Sequence, residues 1–128
     1  GFEVGGSAID LAAIKTPMLL IALKEDHVSA WHAAYSGARA PSADFILGGS
    51  GHNAGVINPP AANKHGFWTS DERPDGAEQW LEGAFRHEGS WWPTWIDWLK
   101  AKGTKKIVPA RAIEDGIEPA PGSYAMMP

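Results

Sequence analysis

Met18, Leu19, Leu20, Ile21, Ala22 and Leu23 form an unbroken apolar run between Pro17 and the charged Lys24-Glu25-Asp26. A run this short, opened by proline and closed by charge, predicts a strand buried on both faces, as a parallel sheet requires. From Ser29 to about Ala40 the pattern changes. Trp31 and Tyr35 share a helical face, Ser29 stands where an N-cap is wanted, and Pro41 ends the segment. Asp44 to Leu47 reads as a second strand, and Gly48-Gly49-Ser50-Gly51 after it demands a tight loop. Strand, helix, strand predicts a right-handed crossover and a parallel sheet, with the site built from loops at the carboxyl ends of the strands. Asp26 and His52 both fall in those loops.

The flanking segments are less regular. Gly1 to Ser7 is Gly-rich without a helical or strand period, and Ile9, Leu11 and Ile14 lead in to Pro17. Beyond Asn58-Pro59-Pro60 a loop leads to a predicted helix of about Gly76 to His87, with Trp80, Leu81, Ala84 and Phe85 on one face. A second helix follows, with Ser90 as cap, Pro93 in the first turn, and Lys100 and Lys102 ahead of Gly103 as stop signals. Trp91, Trp92, Trp95, Ile96, Trp98 and Leu99 make its surface apolar nearly all round, interrupted only by Thr94, Asp97 and Lys100. Such a helix belongs inside a larger body, so its tryptophans are expected in a core and not on a polymer-binding platform. Pro109, Pro119, Pro121, Gly122 and Pro128 mark residues 104–128 as an extended tail. The predicted class is α/β: two parallel strands with a crossover helix, Trp-rich helices and the tail.

Composition narrows the functions. The 128 residues allow one core, and 44% hydrophobic with 20% charged residues is ordinary globular usage. A net charge of -4 without a basic block argues against nucleic acid and anionic lipid surfaces as partners. The chain has no cysteine, which excludes disulfides, thiolate metal sites and a catalytic thiol within it. Met18 to Leu23 is too short to span a bilayer and the first residues do not read as a signal peptide, so a cytoplasmic protein without a transmembrane segment is expected. Seven tryptophans are a large aromatic payload for this length, and they need a core or a partner.

The strongest chemical signal is an Asp just after a buried strand, followed by one crossover and a His in the next Gly-rich loop. This is the order of acid and base in an α/β-hydrolase triad, where the Asp fixes the imidazole tautomer and the His takes a proton from the nucleophile. An Asp ending a strand also serves as a cap or turn residue, and a lone loop His is often only a surface residue. Ser50 is a poor nucleophile candidate, because it follows Asp26 and has His at position 52 where the elbow motif wants Gly. His27, His32 and His52 lack zinc-site spacing, so neither a metal nor a cofactor is expected.

Several motifs occur together in order: Glu25-Asp26-His27-Val28 with Trp31, Gly48-Gly49-Ser50-Gly51-His52, Ala54-Gly55-Val56-Ile57-Asn58-Pro59-Pro60, Trp68-Thr69, Gly89-Ser90-Trp91-Trp92-Pro93 with Trp95, and Glu118-Pro119-Ala120-Pro121-Gly122-Ser123-Tyr124. From about Val4 to Tyr124 this order and spacing resembles the C-terminal part of class I polyhydroxyalkanoate synthases. The resemblance implies that residues 1–103 are the C-terminal portion of an α/β-hydrolase-like catalytic domain and 104–128 its tail. It implies an acyltransferase that polymerises 3-hydroxyacyl-CoA, releases CoA and holds the growing polyester as a thioester on an upstream Cys. Asp26 and His52 match the family's catalytic Asp and His. His52 would deprotonate the thiol; Asp26 would orient His52 or help activate the incoming 3-hydroxyl. The implied partners are the acyl-CoA, the polyester, the upstream part of the domain and a second copy in a homodimer, at the granule surface. Ala30 stands where the family has proline before the Trp, and Asn53 where an apolar residue follows the His. The rival readings are a noncatalytic granule-associated binding or scaffolding remnant, and a thioesterase or esterase of the same fold. The isolated chain is expected to be inactive, because it lacks the nucleophile.

Overall fold

The computed structural model describes residues 2–38, 40–104, 106–110 and 116–127. Gly5 and Gly6, at φ 57° and 78°, turn the chain between β1 (Phe2–Val4) and β2 (Ser7–Ile9), which pair antiparallel. A two-residue hairpin of the favoured kind needs positive φ at both central positions, which glycine supplies without a steric cost. The start without a visible period is therefore a hairpin.

β3 (Met18–Leu23), α1 (Trp31–Ala38) and β4 (Ala43–Gly48) are the expected strand, helix and strand. β3 and β4 pair parallel, from Met18 opposite Ala43 to Leu23 opposite Gly48. Ser29 is not the cap of α1: Ala30 directly precedes the helix, and its carbonyl accepts the Ala33 N–H.

Beyond β4 the structure departs from the expected pair of parallel strands. β5 (Phe67–Thr69) lies antiparallel against β4, in a stretch read as loop. The helix expected to reach His87 ends early, as α2 (Ala77–Gly83); Ala84 is extended at φ -78° and ψ 143°. The next residues form β6 (Phe85–His87), paired with Phe67–Thr69, so their backbone groups find ladder partners instead of helical ones. The sheet is thus mixed, in the order β3-β4-β5-β6. Phe85, expected on the apolar face with Trp80, is 69% exposed.

Both faces of this sheet are covered. On one, Ala22, Phe45 and Leu47 pack with Trp31, Tyr35 and Ala38 of α1 and Trp80 of α2. On the other, Ile46 and Phe67 pack with Trp91, with Leu19, Ile21 and Trp92 at the border. Trp91 leads into α3 (Trp92–Lys102), which has Pro93 in its first turn and ends at Gly103 after Lys100 and Lys102 as expected. Its N-cap is Trp91, without a side-chain cap, and not Ser90, because the helix starts one residue later than the expected cap allows. The core placement expected for the tryptophans holds for Trp91 but not for α3, none of whose residues is buried. Trp95, Ile96 and Leu99 are 37%, 40% and 45% exposed, because the short sheet beneath cannot cover a helix apolar on nearly every side. Similarly, Met18 to Ile21 are only half-buried, and the outer edge of β3 has no strand partner among the described residues. Ile107, Val108 and Ile117 of the described tail are almost fully exposed.

Candidate active site

At the carboxyl ends of β3 and β4 the two chains continue side by side for one more step. The Lys24 N–H donates to the Gly48 carbonyl (2.8 Å) and the Glu25 N–H to that of Ser50 (3.1 Å). Asp26 then turns its loop on itself: Oδ1 accepts the backbone N–H groups of Val28 (2.8 Å) and Ser29 (2.9 Å). Its other oxygen faces the neighbouring loop, where Asp26 Oδ2 lies 2.8 Å from His52 Nδ1. The Ser29 N–H first, then the His52 side chain, hold the carboxyl below its ordinary value of 3.8, at about 2, against an opposing desolvation. At neutral pH the carboxylate is therefore ionised and can only accept, so Nδ1 carries the proton and donates it. In the neutral ring Nε2 is left as the acceptor. It has no hydrogen-bond partner among the described residues.

The loop carrying His52 is shaped by close approach. A Cβ on Gly49 would lie 2.4 Å from the His65 carbonyl oxygen, so only glycine fits there. Ser50 follows at φ 73°, in the left-handed region. Gly55 N–H to Gly51 carbonyl and Ile57 N–H to Asn53 carbonyl, both 2.9 Å, close the turn beyond the His. The two side chains differ in cover: His52 is 48% exposed and Asp26 8%. They border a cavity of about 240 Å³ whose other walls include Ile21, Leu23, Ala34 and Val56. A larger hollow, about 550 Å³, lies beside Phe85, His87 and Pro93 and contains neither residue.

The remaining candidates take other places. His32 Nε2 meets Glu78 Oε1 at 2.6 Å, joining α1 to α2. Among the described residues no three His, Cys, Asp or Glu side chains come together as metal ligands would. Asn53 is exposed and contributes its backbone carbonyl to the turn. Sequence reasoning missed three polar contacts to the His52 loop. Trp91 Nε1 donates to the Gly55 carbonyl (2.9 Å), Trp92 Nε1 to that of Val56 (2.9 Å), and the Ser90 hydroxyl to that of Asn58. The signal available was the Ser90-Trp91-Trp92 triplet, three consecutive side-chain donors.

A sheltered carboxylate that orients an imidazole, whose far nitrogen has no partner among the described residues, on the border of a largely apolar cavity, has the geometry that the acid–base half of a nucleophilic catalyst requires. The nucleophilic half is not a cysteine of this chain, which has none. The chain is 48% identical over 127 residues to the poly(3-hydroxyalkanoate) polymerase subunit PhaC of Cupriavidus necator, a match covering 94% of the chain and 22% of that protein. It is 37% identical over 126 residues to the PhaC subunit of Rhizobium etli, covering 94% and 20%, and 34% identical over 130 residues to the poly(3-hydroxyalkanoate) polymerase of Methylorubrum extorquens, covering 97% and 22%. No family model matches the chain. Across nearly its whole length, then, the chain is similar to poly(3-hydroxyalkanoate) polymerases, and it spans about a fifth of the length of these curated relatives.

Proposed function

We propose that this chain supplies the Asp and His of a Cys-His-Asp triad in an acyltransferase that polymerises 3-hydroxyacyl-CoA into polyhydroxyalkanoate. The observation that carries the reading is the 2.8 Å contact between His52 Nδ1 and Asp26 Oδ2, in a chain similar to the polymerases. The thiol comes from sequence outside these 128 residues. His52 Nε2 removes its proton, the thiolate attacks the acyl thioester, the bond to the CoA sulfur breaks, and the imidazolium returns the proton to the departing CoA. Asp26 holds the ring in the tautomer that leaves Nε2 basic, or assists the incoming 3-hydroxyl in the elongation step.

The fold proposed for the whole is α/β-hydrolase-like. Residues 1–103 form the C-terminal portion of its catalytic domain and 104–128 the tail, with β3 joined along its open edge by further strands. The half-buried apolar side chains of β3 and its unpaired edge support this reading. The assembly works as a homodimer at the polyester granule surface.

The test is a transplant. The chain replaces the matching segment of the Cupriavidus necator relative, and CoA release from 3-hydroxybutyryl-CoA is followed with a thiol reagent. The chimera is expected to release CoA, and His52→Ala or Asp26→Asn to reduce the rate by several orders of magnitude, on the order of 10⁴. Folded variants that keep the chimera's rate would remove the triad assignment. Turnover by the unfused chain, abolished by Ser50→Ala, would instead make it a hydrolase with its own nucleophile.

A further inference from the structure

His52 is half-exposed, and its only hydrogen bond among the described residues is the one to Asp26, so its position depends on the loop that carries it. That loop is gripped from the far side by three consecutive residues. Ser90 and Trp91 are 8% and 6% exposed, and Trp91 is seated in the core against Ile46 and Phe67. From this anchored base, Trp91 and Trp92 reach the adjacent carbonyls of Gly55 and Val56, and Ser90 reaches that of Asn58. The Ser90 hydroxyl also accepts the Trp92 N–H at 3.1 Å, which couples the start of α3 to the grip.

On its other side the loop is pressed against the end of β3. A Cβ on Gly55 would lie 2.5 Å from Leu23 Cδ2 and 2.6 Å from the Gly49 carbonyl oxygen. Leu23 is three residues before Asp26, and its carbonyl accepts the Asp26 N–H. The loop is thus held between indole donors and the strand end that carries the carboxylate.

We propose that Ser90, Trp91 and Trp92 are positioning residues for His52: their donors fix the 55–58 backbone at the height where the imidazole meets Asp26. The proposal extends the triad reading, but its readout is the place of the imidazole and not turnover, so each can fail without the other. Partly exposed Trp92 is the first site to change, since Trp92→Phe keeps an aromatic ring and removes the donor. Trp91→Phe and Ser90→Ala complete the set. Trp98→Phe is the control, because Trp98 Nε1 donates to Asp44 Oδ2 (2.7 Å), near the start of β4 and away from the His52 loop.

Two measurements on the 128-residue chain decide it. Amide exchange at Gly55 and Ile57 should accelerate at least about tenfold in Trp92→Phe and Trp91→Phe while the amides of β4 keep their protection. The Asp26 carboxyl titration, followed by NMR, should rise from about 2 part of the way toward 3.8, because the Val28 and Ser29 N–H donors remain. Trp98→Phe should change neither. A folded Trp92→Phe with both readouts unmoved overturns the proposal, and so does a Trp98→Phe effect of equal size. Should Trp91→Phe fail to fold, Trp92→Phe decides alone.

Discussion

Asp26 serves two loops at once, and its ionised form is what both require. Oδ1 holds the backbone of its own turn and Oδ2 holds His52. The turn-residue reading of this Asp is true of its geometry, and the contact to His52 that the triad-acid reading requires is made by the same carboxylate. A folded carboxyl at about 2, below its ordinary 3.8, binds its proton less readily than in the unfolded chain. Its contribution to stability is therefore complete above pH ~4 and disappears as the pH falls toward 2. Asp26→Asn is expected to lower stability at neutral pH and to flatten the acid limb between pH ~4 and 2; thermal midpoints of both proteins across that range measure it, and parallel curves would contradict the assignment. Gly49 is the other residue on which the site turns. The contact that an added Cβ would make is with backbone, which cannot swing aside, so Gly49→Ala is expected to cost about 1–3 kcal/mol in denaturant unfolding.

At the scale of elements, α1 and α2 are joined to the sheet by a ring cluster. Tyr35, Phe45 and Trp80 have centroids 4.9 to 5.7 Å apart, and Tyr35 and Trp80 are each 1% exposed. Trp80→Ala is expected to destabilise by about 3–5 kcal/mol. Trp80→Phe should cost markedly less, since the Trp80 Nε1–H is buried without a partner among the described residues and its removal relieves a desolvated donor. Equal losses in the two variants, read from denaturant midpoints, would show that the N–H is satisfied in solution. The spacing of Trp31 and Tyr35 makes α1 legible from sequence. β5 and β6 are not legible, because three residues are too few to show an alternation, and a helical face drawn through Trp80, Leu81 and Ala84 runs on into Phe85 without a break.

The whole molecule exposes 9597 Å². A compact chain of its mass, 13.7 kDa, would expose roughly 6,600 Å². The excess includes the Trp95, Ile96 and Leu99 surface of α3, the apolar side chains of the tail and the half-covered β3. An unpaired edge beside apolar side chains is a template for another chain. The isolated 128 residues are therefore expected to bind a hydrophobic dye and to sediment with concentration-dependent association, and Ile96→Glu combined with Leu99→Glu should reduce both. A dye-silent monomer at all concentrations would mean that this surface is stable in water as it stands.

Sequence alone determined β3, α1, β4 and the end of α3, because apolar runs, helical spacing, prolines and stop residues act over a few neighbours. It also placed Asp26 and His52 in the loops after consecutive parallel strands, since strand order and crossover hand follow from the order of the elements. Whether the two side chains meet is a distance between residues 26 apart in the chain, which the register of β3 on β4 and the closing of the 49–57 turn decide. The same is true of β5 and β6, which are strands only because β4 gives β5 partners and β5 gives them to β6, and of indole donors that reach carbonyls 36 residues away. Contacts of that kind carry no local pattern. They exist only when packing brings a buried donor to the one acceptor that satisfies it.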